Sequence, residues 1–142
     1  MVKKFDHVTI VVLDVEAAKR FFALLGFKET KSVAISGKAM EDYMGVKDIE
    51  ADHVTFAIEN PHTEVQLLHC RHPDAIVDTD IAKLNKLGFN HICFAVDDLR
   101  AEVAKLTAAG VRLRNRIMDF HDRKLVFLHG PEDITVELAQ WD

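Results

Sequence analysis

Apolar side chains fall first at every second position and then at helical spacing, and the chain runs through this change twice. Between Phe5 and Val12, the residues Val8, Ile10 and Val12 take one side of a strand, and Phe5, His7, Thr9 and Val11 take the other. Val15, Ala18, Phe22 and Leu25 then recur at helical spacing, behind an N-capping Asp14 and ahead of a terminating Gly26. A strand from Phe27 to about Val33 follows. His53–Glu59 and Glu64–His69 read as two more strands, joined by Asn60-Pro61-His62-Thr63. Between them, Ser36–Glu50 carries two glycines and mixed polarity, which predicts a loop or a broken helix.

The same order returns downstream. A strand over Asn90–Val96, a helix over Leu99–Ala109 capped by Asp98, and strands near Val111–Ile117, Lys124–Leu128 and Ile134–Gln140 complete a second β-α-β-β-β module, with a turn at Gly130-Pro131-Glu132-Asp133. The register is constant, because 91 − 7, 98 − 14 and 110 − 26 all give 84. The pattern predicts one α+β domain over residues 1–142, with a first module at about 5–69, a connector at 70–88 and a second module at about 89–140. The connector holds Pro73 and an amphipathic stretch, Ile81–Leu87, behind Asp78 or Thr79 as cap. Packed side by side, the modules would form a curved mixed sheet around a metal-binding cavity.

The modules differ in length in one place. From Gly26 to Gln66 is 66 − 26 = 40 positions, and from Gly110 to Glu137 is 137 − 110 = 27. The surplus of about 13 falls on Ser36–Glu50, which makes that segment a candidate lid or substrate wall, since added loops on a shared scaffold often carry specificity. Tyr43 and Met44 lie within it and are candidates to line an apolar pocket.

Composition narrows the classes. A hydrophobic fraction of 49% and a charged fraction of 29% suit a soluble globular protein, and no apolar run approaches the roughly 20 residues of a membrane span. A net charge of −5 argues against a nucleic-acid surface. Met1-Val2-Lys3-Lys4-Phe5 leads straight into a strand pattern, so the expected compartment is the cytoplasm, where Cys70 and Cys93 would stay as thiols. Arg112, Arg114 and Arg116 stand at strand spacing and read as a solvated face or as a clamp for an anionic group.

Candidate chemistry comes from parity. Each module closes on a strand with a polar side chain between branched apolar neighbours: Val65-Gln66-Leu67 and Val136-Glu137-Leu138. Alternation puts His7, Gln66, His91 and Glu137 on the faces turned away from the helices. Two imidazoles, an amide oxygen and a carboxylate make a hard-to-borderline donor set for one divalent metal ion, Zn²⁺, Co²⁺, Ni²⁺, Mn²⁺ or Fe²⁺. With no thiolate in the set, an open catalytic site is expected rather than a closed structural one. The remaining histidines, His53 among them, are expected to be hydrogen-bonded or exposed; His121 stands out for preceding the last hairpin.

The run His7-Val8-Thr9-Ile10 with Gly26-Phe27, then Asn90-His91-Ile92-Cys93-Phe94-Ala95-Val96-Asp97-Asp98, then Phe127–Leu138, resembles the vicinal oxygen chelate superfamily. Its members include glyoxalase I, methylmalonyl-CoA epimerase, extradiol dioxygenases and the metal-free bleomycin-resistance proteins. The resemblance spans nearly the whole chain and implies metal ligands at His7, Gln66, His91 and Glu137, the set reached from parity. A His-Gln-His-Glu order resembles the epimerases, whereas bacterial glyoxalase I usually has Glu at the second position. Gly130-Pro131-Glu132-Asp133-Ile134 departs from the epimerase pattern in lacking a Lys and Gly pair, and Glu41, Glu50 and Glu64 are the local choices for a second carboxylate.

These features lead to a metal-dependent lyase or isomerase that moves a proton beside a carbonyl or thioester, with Glu137 as the base. The substrate would be a small molecule, a 2-oxoaldehyde–thiol hemithioacetal or a short 2-substituted acyl-CoA. The rival readings are an extradiol-type dioxygenase and a protein that sequesters a drug or metabolite. No nucleic-acid or membrane partner is expected, and the family resemblance implies a homodimer.

Overall fold

The computed structural model describes all residues, Met1–Asp142, and they gather into two compact units, Met1–Val77 and Asp78–Asp142. The first contains β1 (His7–Val11), α1 (Val15–Leu24), β2 (Lys28–Ile35), α2 (Lys38–Met44), β3 (Glu50–Ile58) and β4 (Thr63–His72). The second contains β5 (Ile92–Ala95), α3 (Leu99–Ala108), β6 (Met118–Phe120), β7 (Arg123–His129) and β8 (Thr135–Trp141). Each unit holds one four-stranded mixed sheet, in the orders β1-β4-β3-β2 and β5-β8-β7-β6. The first and last strands of a unit run parallel and the other neighbours antiparallel. The α+β class and the two tandem modules are therefore as the sequence pattern predicts.

Both long helices start and stop as their sequences dictate. Asp14 accepts from the Ala17 amide at 2.9 Å and Asp98 from the Ala101 amide at 3.0 Å, so each helix has one otherwise orphaned donor satisfied. Gly26 and Gly110 then turn the chain out at φ of 92° and 93°, a left-handed conformation that side chains with a Cβ resist.

Burial follows the alternation. In the first unit Ile10, Val12, Val54, Phe56, Val65 and Leu67 are buried together with Ala18, Phe21 and Phe22 of α1. Phe22 stands edge-on to Phe21 and Phe27, with centroids 5.3 and 5.7 Å away. In the second unit Val126, Leu128, Val136 and Leu138 are buried with Leu99 and Leu106 of α3. Removing a side chain of this size from water contributes about 1.5–3 kcal/mol, which is what holds each helix to its sheet.

The surplus segment resolves into α2. Met40 and Met44, with Ile35 and Val46, pack on Ile49, Ala51 and Leu68, and Ala51 and Leu68 lie on the sheet face opposite α1. Tyr43 projects from α2 with 84% of its surface exposed, so it takes no part in that packing.

Three expectations are corrected. The strand near Val111–Ile117 is a single bridge, Leu113 to Leu128, followed by the short β6. The Arg114 amide donates to the Phe127 carbonyl at 2.8 Å, but the Phe127 amide donates to the Asn115 side chain at 2.7 Å, so a side chain takes the place of the next ladder acceptor. Arg114 is accordingly no anion clamp: its Nη2 donates to the Asp133 carboxylate at 3.0 Å and the Asp133 carbonyl at 2.7 Å, tying down the turn before β8. Finally, Ile81–Leu87 forms turns instead of a helix. Leu87 is 96% exposed, so the stretch has no buried face to offset the cost of nucleating a helix.

Candidate metal centre

In the first unit, the parallel register sets Thr9 opposite Gln66 and His7 opposite Glu64, and the antiparallel register sets Thr55 opposite Gln66. Side chains two apart share a face, so His7, Thr9, Glu64, Gln66, His53 and Thr55 all stand on the face opposite α1. There they form a network. The Gln66 amide nitrogen donates to Glu64 Oε1 at 2.7 Å, while its oxygen accepts from Thr9 Oγ1 at 3.2 Å and lies 2.8 Å from His53 Nε2. An amide oxygen only accepts, so His53 carries its proton on Nε2. The bond from Gln66 is the main cause that holds the Glu64 carboxyl below its ordinary range.

In the second unit, Cys93 and Phe127 flank Glu137 in register. His91 Nε2 stands 2.9 Å from Glu137 Oε2, and the His91 ring meets Phe127 edge-on at 5.2 Å. Burial, and then the Glu137 carboxylate, push the Cys93 thiol up to about 12, which leaves it protonated at neutral pH. The Thr135 hydroxyl, on the same face as Glu137, is buried without a hydrogen-bond partner.

The two histidines are oriented alike. His7 Nδ1 is 2.7 Å from Asp6 Oδ1, and His91 Nδ1 is 2.8 Å from Asn90 Oδ1. Asp6 and Asn90 are themselves 84 positions apart, 90 − 6, so the anchors repeat with the histidines. An imidazole whose Nδ1 is engaged by an acceptor offers Nε2 as its donor atom, which is how metal-binding histidines are commonly fixed. The donor chemistry of each unit, an imidazole with an amide oxygen in the first and an imidazole with a carboxylate in the second, is of the kind that a borderline divalent cation takes.

The four side chains singled out in sequence thus fall into two pairs, His7 with Gln66 in one unit and His91 with Glu137 in the other. No three His, Cys, Asp or Glu side chains form a metal-sized cluster. Of the three local carboxylates, Glu64 lies beside Gln66, while Glu50 stands opposite His72 at the start of β3 and Glu41 lies on α2. His121 is exposed in the turn between β6 and β7. His53 is the residue that sequence reasoning left among ordinary hydrogen-bonded histidines. The alternation His53-Val54-Thr55-Phe56 already carried the signal, because it puts His53 and Gln66 on one face.

A model of the glyoxalase/bleomycin resistance protein/dioxygenase superfamily matches residues 6–127. The chain is 28% identical to an ethylmalonyl-CoA/methylmalonyl-CoA epimerase of Cereibacter sphaeroides over 148 aligned positions, covering 99% of both chains. It is 33% identical to glyoxalase I of Saccharomyces cerevisiae over only 54 positions, 38% of this chain and 17% of that one. Among solved structures, a glyoxalase family protein from Bacillus cereus superposes with a TM-score of 0.90 at 24% identity, covering 99% of this chain and 95% of that one.

Proposed function

The chain belongs to the glyoxalase/bleomycin resistance protein/dioxygenase superfamily, and from that premise we propose that it is a metal-dependent isomerase acting beside the thioester carbonyl of a short acyl-CoA. The observation that carries the reading is the matched anchoring of His7 by Asp6 and His91 by Asn90, with His7 opening β1 and His91 just ahead of β5, the strands that pair with those carrying Gln66 and Glu137. Metal ligation falls to His7, Gln66, His91 and Glu137. A divalent ion held by them would supply Lewis-acid polarisation of the substrate carbonyl. Glu137 takes the proton from the carbon next to that carbonyl. Phe127 keeps the neighbourhood of Glu137 apolar, which favours proton transfer to a carboxylate over its hydration.

An acyl-CoA is preferred to a hemithioacetal on two grounds. The second oxygen ligand is a neutral amide, and a relative that matches over the whole chain is an epimerase, whereas the glyoxalase I match covers 38% of this chain. The test is deuterium incorporation from D₂O at the α-carbon of 2-methyl-branched acyl-CoA thioesters, with protein loaded with each of the five candidate ions. Exchange that needs metal, and that disappears together with bound metal when His7 and His91 are both replaced by Ala, is the expected result. Metal-loaded protein that exchanges no proton in any thioester, yet binds one small apolar compound tightly, would overturn the reading in favour of a sequestering protein.

A further inference from the structure

We propose that His53 is a positioning residue that fixes which end of the Gln66 amide faces a bound cation, an inference that rests on Gln66 being a metal ligand. A glutamine amide has two ends of nearly equal size, and only its oxygen can ligate a cation. Rotation by half a turn would present the nitrogen instead. Two neighbours forbid that rotation. Glu64 Oε1 accepts from the amide nitrogen at 2.7 Å, and an ionised carboxylate has no proton to give to an oxygen in its place. His53 Nε2, at 2.8 Å, donates to the amide oxygen from the other side. An amide oxygen has two lone pairs, so it can keep the bond from His53 and still turn the second pair to a cation. The longer bond from Thr9, at 3.2 Å, is the one given up.

The second unit supplies an independent argument. Leu68 and Ala139 pair with His53 and Leu125 respectively, so Leu125 occupies the position equivalent to His53; by the same register Thr135 matches Glu64. Where the ligand is a carboxylate, both of whose ends are oxygen, neither orienting group is present. Where the ligand is an amide, both are. The Gln66 site therefore needs a device that the Glu137 site does not.

The test is metal affinity, measured by competition of the purified protein with a chromophoric chelator for Mn²⁺ and Zn²⁺. His53→Leu should weaken binding about 10- to 100-fold, the usual cost of losing a partner that orients a metal ligand. His53→Gln, which keeps an N–H donor at similar reach, should hold affinity near wild type. In a Gln66→Glu background, where orientation no longer matters, His53→Leu should change affinity less than about twofold, an outcome that a general structural role of His53 would not give. Unchanged affinity in His53→Leu, or an equal loss in both backgrounds, would overturn the inference while leaving the proposed ligand set standing. Wild-type protein that binds neither these ions nor Co²⁺, Ni²⁺ or Fe²⁺ would overturn both.

Discussion

Gln66 and Glu137 sit at equivalent points of two sheets built to one plan, and their surroundings share little. Gln66 is enclosed by Thr9, Thr55, His53 and Glu64, and engages three of them by hydrogen bonds. At the matching places round Glu137 stand Cys93, Phe127, Leu125 and Thr135, and its close partners are His91 and the Cys93 thiol. A neutral amide in a dense polar net is held in one pose and cannot take up a proton. A carboxylate, here between Phe127 and Cys93 and beside His91, can. Under the function proposed above, the repeat would divide one job: the first unit holds, and the second unit holds and reacts. Backbone register is what the copies retain, because a slip of one residue would turn Gln66 or Glu137 into the core.

The largest expected effect separates the two sites. Glu137→Gln should lower α-proton exchange by about 10²–10⁴-fold, the usual contribution of a positioned base, while Gln66→Glu should leave exchange within about tenfold of wild type. Deuterium incorporation followed by mass spectrometry measures both, and an equal loss in the two variants would break the proposed division of labour.

Next come effects that should be alike in both units, because they act on the shared scaffold. Leu67 and Leu138 hold equivalent, fully buried positions on β4 and β8. Leu67→Ala and Leu138→Ala should each cost about 2–5 kcal/mol in urea unfolding. A difference between them larger than that spread would show that the copies are not built alike. The capping carboxylates form a smaller matched pair, and Asp14→Ala and Asp98→Ala should each cost about 1 kcal/mol in the same measurement.

The smallest effect reads the electrostatics of the second site. Because the Cys93 thiol is pushed up to about 12, its reactive thiolate grows only as pH rises toward that value, so alkylation at pH 8 should be slow. Glu137→Gln removes one of the raising causes but not burial, the larger one, so the rate should rise severalfold and no more. A rate unchanged by the variant would mean that the carboxylate does not act on Cys93.

The legibility of this fold in the sequence was high where a period repeats. Strands β1, β4, β5 and β8 and helices α1 and α3 each carry an unbroken alternation or helical stripe, and the constant spacing of 84 ties the copies together. It was low where one side chain displaces a backbone partner, as Asn115 does beside β7, or where an amphipathic stretch finds nothing to cover it, as at Ile81–Leu87. The helical part of Ser36–Glu50 was ambiguous for a related reason: α2 is short, and its two methionines gain their burial from β3 and β4.

The sequence by itself determined which residues share a face, since side-chain direction depends only on local period, and that was enough to bring out His7, Gln66, His91 and Glu137. Only the tertiary structure decided the neighbours that come to them from other strands. Which strand lies beside which, and in what register, depends on contacts between segments far apart in the chain; His53 reaches Gln66, and Phe127 reaches His91, across such pairings. Alternation fixes a direction for each side chain, and packing alone brings to that direction the neighbour that gives it chemistry.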